Sequence, residues 1–199
     1  MKLNFMSVFC LLLMPAVLLG QDDGPTTAEQ CRIVTAVDLF DSEAPSFRGY
    51  PAASVQGMTL TPKLDLSSNP LAKKYRTVLR QEIAKGPNYA GHYRVAVWGC
   101  GASCAMFGVV NLKTGRVITA REFATVVGTY LAADEFLSDT RGDYWGFRYA
   151  NDSSLLVVLG APDEDESRTG AYYFVLRSES LHLIHTTHVG KTCKATKPQ

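Results

Sequence analysis

The chain has 199 residues, a formal charge of +1 at neutral pH and 46% apolar residues. A balance this near zero gives no global field that would attract nucleic acid or repel a membrane. The apolar share is enough for a true core, and the length suits one domain.

The first twenty residues read as a cleavable export signal. Lys2 supplies the positive end, Val8 to Leu19 is an apolar run broken by Pro15, and Gly20 precedes the polar Gln21-Asp22-Asp23-Gly24. Cleavage is expected near Gly20 or Gln21. The apolar run is shorter than the roughly 20 residues that span a bilayer, so no permanent anchor and no integral membrane span are expected. The expected location is periplasmic or secreted. Cys10 leaves with the leader, and Cys31, Cys100, Cys104 and Cys193 remain. In an oxidising compartment an even set of thiols is expected to pair, and four cysteines allow three connectivities. The favoured set is Cys100–Cys104, in a turn with Gly99 and Gly101, and Cys31–Cys193, tying the ends of the mature domain. In the chain-entropy description the long loop stabilises by roughly 5 kcal/mol and the short one by about 2.

Residues 21–30 are polar and read as a flexible entry to a single domain over residues 31–193, with residues 194–199 as a tail. Cys31 to Leu39 alternates as a short strand, and a connection punctuated by Pro and Gly follows. Asn69 caps and Pro70 opens the best helix, which Gly86-Pro87 stops. Leu71, Tyr75, Val78, Leu79 and Ile83 make its apolar face. Lys73, Lys74, Arg76, Arg80 and Lys85 populate the rest, as on an ordinary solvated helix. The period then changes to β. Tyr93 to Trp98, Ala105 to Leu112 and Arg116 to Ala120 read as strands, with a tight turn at Lys113-Thr114-Gly115. Leu155 to Leu159, Ala171 to Arg177 and Leu181 to His185 repeat the scheme after a turn-rich aromatic stretch at Asp134 to Phe147. The expected fold is α+β: one antiparallel meander sheet, flat or curled, with the amphipathic helix packed on it.

The segment PLAKKYRTVLRQEIAKGPNYAGHYRVAVWGCGASC, followed by FGVVNLKTGRV, resembles a group of small exported bacterial proteins. They share a GPN-aromatic-AGHY segment, a WGCG-x-x-C turn and an x-T-G-x-V hairpin. The likeness covers roughly Asp65 to Val117 and implies export and a shared core, with no established activity to carry over.

Four constellations bear chemistry. His92 with Cys100 or Cys104 has the base-and-nucleophile composition of a cysteine enzyme. The His-then-Gly-Cys order is similar to that of exported L,D-transpeptidases, which act on cell-wall peptides. Val97-Trp98 stands where that pattern has Ser or Thr, its Arg is missing, and Cys104 offers a disulfide partner. A redox reading of Cys100 to Cys104 lacks the C-x-x-C spacing and the helix N-terminus. For metals, His182, His185 and His188 recur every third residue; on a regular strand His182 and His188 share a face about 20 Å apart while His185 points away. The acidic run Asp163 to Glu166 lacks a calcium-loop pattern and reads as a solvated turn. Last, Tyr144, Trp145, Phe147, Arg148 and Tyr149 form an aromatic–cationic run beside Arg141-Gly142-Asp143, of the kind that anchors a protein or sugar. Asn151-Asp152-Ser153 is a glycosylation sequon only in a eukaryotic host.

The reading that follows is an exported, non-enzymatic domain binding a protein or a cell-envelope polymer. Its candidate contacts are Trp98, Tyr144, Trp145 and Arg148, braced by the cysteines. The alternative is a cysteine-nucleophile enzyme acting on cell-wall peptides through Cys100 and His92. No metal, cofactor or nucleic acid is expected.

Overall fold

The runs CAMFGVVN and LLVVLGAP are apolar without alternation, the pattern of strands covered on both faces. A computed structural model describes residues 43–53, 62–101, 104–127 and 146–188, and both runs are buried along their whole length in it. The leader, the strand expected at Cys31 to Leu39, Cys31, Cys193, Tyr144, Trp145 and the tail lie outside the described residues.

In chain order the strands are β1 (Tyr93–Gly101), β2 (Cys104–Asn111), β3 (Val117–Ile118), β4 (Thr125–Val127), β5 (Phe147–Tyr149), β6 (Leu155–Pro162), β7 (Gly170–Arg177) and β8 (Ser180–His188). All pair antiparallel in one eight-stranded sheet, ordered β1-β2-β4-β6-β7-β8, with β3 alongside β2 and β5 alongside β6. The sheet is not closed, and the class is α+β with a meander, as the sequence predicts. Its two halves, β1 to β4 and β5 to β8, join through the short β4–β6 pairing of Val126 with Pro162 and Val127 with Ala161.

Side-chain alternation sorts three apolar clusters. Val95, Phe107 and Val109 of the first half and Leu156, Val158, Tyr172 and Phe174 of the second share the central core. Phe107 meets Phe147 at 5.2 Å between ring centres, and Phe123 meets Phe174 at 5.8 Å, so the sheet bends until one face of each half closes on the other. The outer face of the first half (Ala96, Trp98, Met106, Val110) lies under the helices, through Ala72, Leu79 and Ile83. The outer face of the second half (Leu155, Val157, Leu159, Tyr173, Val175) meets Ala44, Phe47 and Tyr50, around a 3-10 turn at Phe47–Gly49.

The helix begins where the sequence predicts: the Asn69 side chain accepts from the Leu71 N–H at 2.9 Å, with Pro70 in the first turn. It differs in one respect. α1 (Pro70–Lys74) and α2 (Arg76–Ile83) are separated at Tyr75, whose φ of −107° and ψ of 25° leave the helical region. The departure coincides with the Tyr75 ring lying 5.0 Å from Trp98, so a packing contact with β1 accompanies the break. Among the described residues no helix is long and apolar enough to cross a membrane.

A bulge in β8 corrects the expected alternation of its histidines. Tyr173 is opposite His185 and Phe174 is opposite Leu183, which leaves Ile184 as the extra residue. Ile184 packs on the outer cluster, and the His185 ring also reaches outer-face Tyr173, at 5.3 Å. His188 instead meets Tyr172 of the central core, at 6.1 Å. One extra residue reverses the alternation, so His182 and His188 no longer share a face.

Candidate functional site

The turn that carries the close cysteine pair is the tip of the β1–β2 hairpin. Cys100 and Cys104 are joined by a disulfide with Cα atoms 5.1 Å apart. Gly99, Cys100 and Gly101 are exposed while Cys104 is buried, so the bridge pins a solvent-facing tip to the sheet. Gly101 has φ of +150°, a conformation other residues rarely adopt, and the ladder register shifts there. Trp98 does not stand out as a free anchor. It is 9% exposed, lies in the cluster under the helices, and its indole Nε1 has no hydrogen-bond partner.

His92 sits at the far end of β1, eight residues before Cys100. At about 3.3 Å per residue that is a separation of roughly 26 Å. A nucleophile and its base must lie within hydrogen-bond reach, and a bridged sulfur carries no thiolate. The structure therefore does not bring Cys100 and His92 together.

The GPNYAGHY segment is instead a latch between the halves of the sheet. The Asn88 side chain bonds both the N–H of Val95, at 2.8 Å, and its carbonyl, at 3.2 Å, mimicking a neighbouring strand. Ala90 N–H donates to Ala150 O at 3.2 Å and Gly91 N–H to Asn151 O at 2.6 Å. The fully buried Tyr89 hydroxyl donates to Ser154 O, and burial drives its phenol far above the ordinary range. Ala90 and Gly91 take φ of 42° and 80°, which turns consecutive N–H groups toward the second half.

Next to the latch lies a polar cluster that the sequence did not single out. Ser178 and Glu179 form the two-residue turn between β7 and β8 with φ of 46° and 56°, the primed-turn geometry usually given to Asn-Gly. This turn carries Glu179 to Asn111 of β2, which donates to it, and to Arg116, at 3.5 Å. The His92 ring lies tilted against that of Tyr93, with centres 4.3 Å apart. Burial, then the charge of Lys113, hold His92 below its ordinary pKa, with Glu179 opposing. Burial, then Glu179, raise Tyr93. The sequence already leaves Glu179 in the short connection between the strands at Ala171 to Arg177 and Leu181 to His185, but no motif marks its reach to Asn111 and Arg116, which only long-range packing sets.

In the aromatic–cationic run, Phe147 and Arg148 are not surface anchors. Phe147 is wholly buried and Arg148 is 7% exposed, since β5 is a paired strand whose faces are both covered. The Arg148 Nε has no hydrogen-bond partner. Burial is the one influence pushing its pKa down, and no carboxylate among the described residues opposes it. A guanidinium nevertheless stays charged. Leaving a buried charge uncompensated typically costs on the order of 3–5 kcal/mol.

The acidic run is used structurally. Asp163 accepts from the N–H groups of Ala124 and Thr125, each at 3.1 Å, and Asp165 caps the 3-10 turn Glu166–Arg168 through Ser167. Among the described residues no group of His, Cys, Asp or Glu is arranged to hold a metal. Compared with protein-family models, curated proteins and solved structures, the chain matches none.

Proposed function

We propose that this chain works outside the cytosol as a non-enzymatic binding domain, engaging a protein or cell-envelope polymer through the disulfide-closed tip of the β1–β2 hairpin. The observation that carries the reading is the Cys100–Cys104 bridge at an exposed tip. The bridge leaves neither sulfur as a nucleophile and fixes the tip before any partner arrives, which lowers the ordering cost of association. The reading with Cys100 as nucleophile needs a thiolate beside His92, and the latch holds His92 at the opposite end of the strand.

The test uses the chain purified without reductant. Non-reducing peptide mapping is expected to recover Cys100 and Cys104 in one linked peptide. The chain is then sedimented with purified peptidoglycan sacculi and, separately, cross-linked to candidate envelope proteins. Binding that falls at least tenfold in the Cys100→Ser/Cys104→Ser variant supports the tip. Undiminished binding in that variant, or a reactive Cys100 whose loss together with His92→Ala abolishes peptide hydrolysis, overturns the reading.

A further inference from the structure

The helical segment Pro70 to Lys85 carries five cations, Lys73, Lys74, Arg76, Arg80 and Lys85, against one carboxylate, Glu82. That is a net +4 in a chain of net +1, so all other residues together carry −3. Charge is segregated although the total is nearly neutral. Glu82 is engaged by Lys85 on its own segment and by Arg94 of β1, at 2.9 Å. It neutralises the C-terminal end, while Lys73, Lys74, Arg76 and Arg80 all stand exposed.

Packing fixes this face toward water. Leu71, Tyr75, Val78, Leu79 and Ile83 all pack in the cluster over the outer face of the first half. Apart from Pro70, every exposed residue of α1 and α2 is cationic or neutral polar, with Thr77 and Gln81 joining the four cations. Lys73, Arg76 and Arg80 stand three and four residues apart, the spacing of one helical stripe, over roughly 10 Å. The bonds from Tyr75 N–H to Leu71 O, at 2.8 Å, and from Leu79 N–H to Tyr75 O, at 3.1 Å, carry the stripe across the break. Lys74 Nζ lies 5.2 Å from the centre of the Tyr75 ring, and that ring lies against Trp98. Trp98 is two residues, about 7 Å of strand, from Cys100.

We propose that this basic face docks a linear acidic polysaccharide of the cell envelope, its successive carboxylates meeting one cation per helical turn. Cations on a convex helix diverge, so no single anion is chelated, whereas a row of monoanions is matched one to one. A protein partner centres its interface on buried apolar anchors, and this face presents none. A bilayer takes an amphipathic helix through its apolar side, which here is packed on the sheet. The inference rests on the proposed function for a partner outside the cytosol, and it names the chemistry of that partner.

The experiment measures binding of labelled polygalacturonate to the full disulfide-bonded chain across a salt series. Its methyl ester and phosphatidylglycerol vesicles serve as comparisons. The parent is expected to bind the acid form saturably and the ester not at all. The logarithm of affinity should fall against that of salt with a slope of about −2 to −3, for three or four contacts at roughly 0.7 each. Lys73→Gln/Arg76→Gln/Arg80→Gln should melt with the parent, since the three side chains are exposed and Gln forms helix well, and should bind at least tenfold more weakly. Arg48→Gln/Arg121→Gln/Arg177→Gln removes the same charge from exposed sites elsewhere and should change binding less than twofold. Equal losses in the two triple variants, equal binding of the ester, or tighter vesicle binding that the helix variant abolishes overturns the proposal. Should the helix variant not fold, a salt slope near zero in the parent overturns it alone. Polymer binding that survives Cys100→Ser/Cys104→Ser but not the helix variant leaves the face standing and the tip reading fallen; the reverse pattern overturns the face alone.

Discussion

At the scale of single residues, His92 couples stability to pH. Burial and Lys113 disfavour its protonated form in the folded chain. The unfolded chain then takes up the proton first. Stability from this residue is present above the ordinary value of 6.5 and is lost as pH falls from there toward the lower folded value. The urea midpoint is expected to drop on acidification below about pH 6.5, and His92→Gln should flatten that part of the profile. Glu82 acts in a separate window. Burial raises its pKa, but hydrogen bonds from Lys85 and Arg94 outweigh that and lower it overall, so its contribution is lost only below its ordinary 4.5. Tyr89 offers a second residue-scale test. Tyr89→Phe deletes the hydroxyl bonded to Ser154 O and keeps the ring, so about 1–2 kcal/mol should be lost in urea unfolding. No loss would mean that the latch holds through its backbone bonds alone.

At the scale of elements, the glycines divide by what surrounds them. Gly115, in the β2–β3 turn, has φ of +79°, and a Cβ there would stand 2.1 Å from the Lys63 carbonyl oxygen. The segment before the helix also bonds this turn, Asp65 N–H to Gly115 O at 2.9 Å. Gly115→Ala combines an unfavourable backbone conformation with a backbone clash and should cost roughly 2 kcal/mol or more. At Gly99 the nearest atom to a new Cβ is 3.9 Å away and φ is not positive. Gly99→Ala should therefore stay within about 0.5 kcal/mol of the parent. Equal effects from both substitutions, read by chemical denaturation, would show that the β2–β3 turn yields more than its contacts suggest. The helix depends on its inner face, where Leu79 is wholly buried against the first half. Leu79→Ala should cost about 2–5 kcal/mol, measured the same way.

At the scale of the whole molecule, the two halves are held together by the central core, the latch, the Glu179 contacts and the short β4–β6 pairing. The Cys100–Cys104 bridge contributes little to that union, because it links residues only four apart in one hairpin. Reduction should lower stability by about 2 kcal/mol on the chain-entropy estimate. Amide exchange should quicken near the tip while Val95, Val109 and Leu156 stay protected, since each lies in the central core. Loss of protection across both halves on reduction would show instead that the tip governs the fold.

The longer elements were legible in the sequence, while the short strands β4 and β5 and the break at Tyr75 were not. Asn69-Pro70 and Gly86-Pro87 bound the helical segment, and the β-rich runs after Tyr93 and Leu155 became strands, because capping, turn chemistry and hydrophobic period act over a few residues. The proximity of Cys100 and Cys104 was legible for the same reason. Which faces meet is set by the folded arrangement. Arg148 and Trp98 are buried because second elements cover them, Glu179 reaches Asn111 across 68 residues of sequence, and one bulged residue, Ile184, reassigns the histidines of β8. His92 and Cys100 look adjacent in a short motif, yet an extended strand holds them at opposite ends. Such relations depend on long-range pairing and register, whose free energy comes from surfaces far apart in the chain, and no local pattern encodes them.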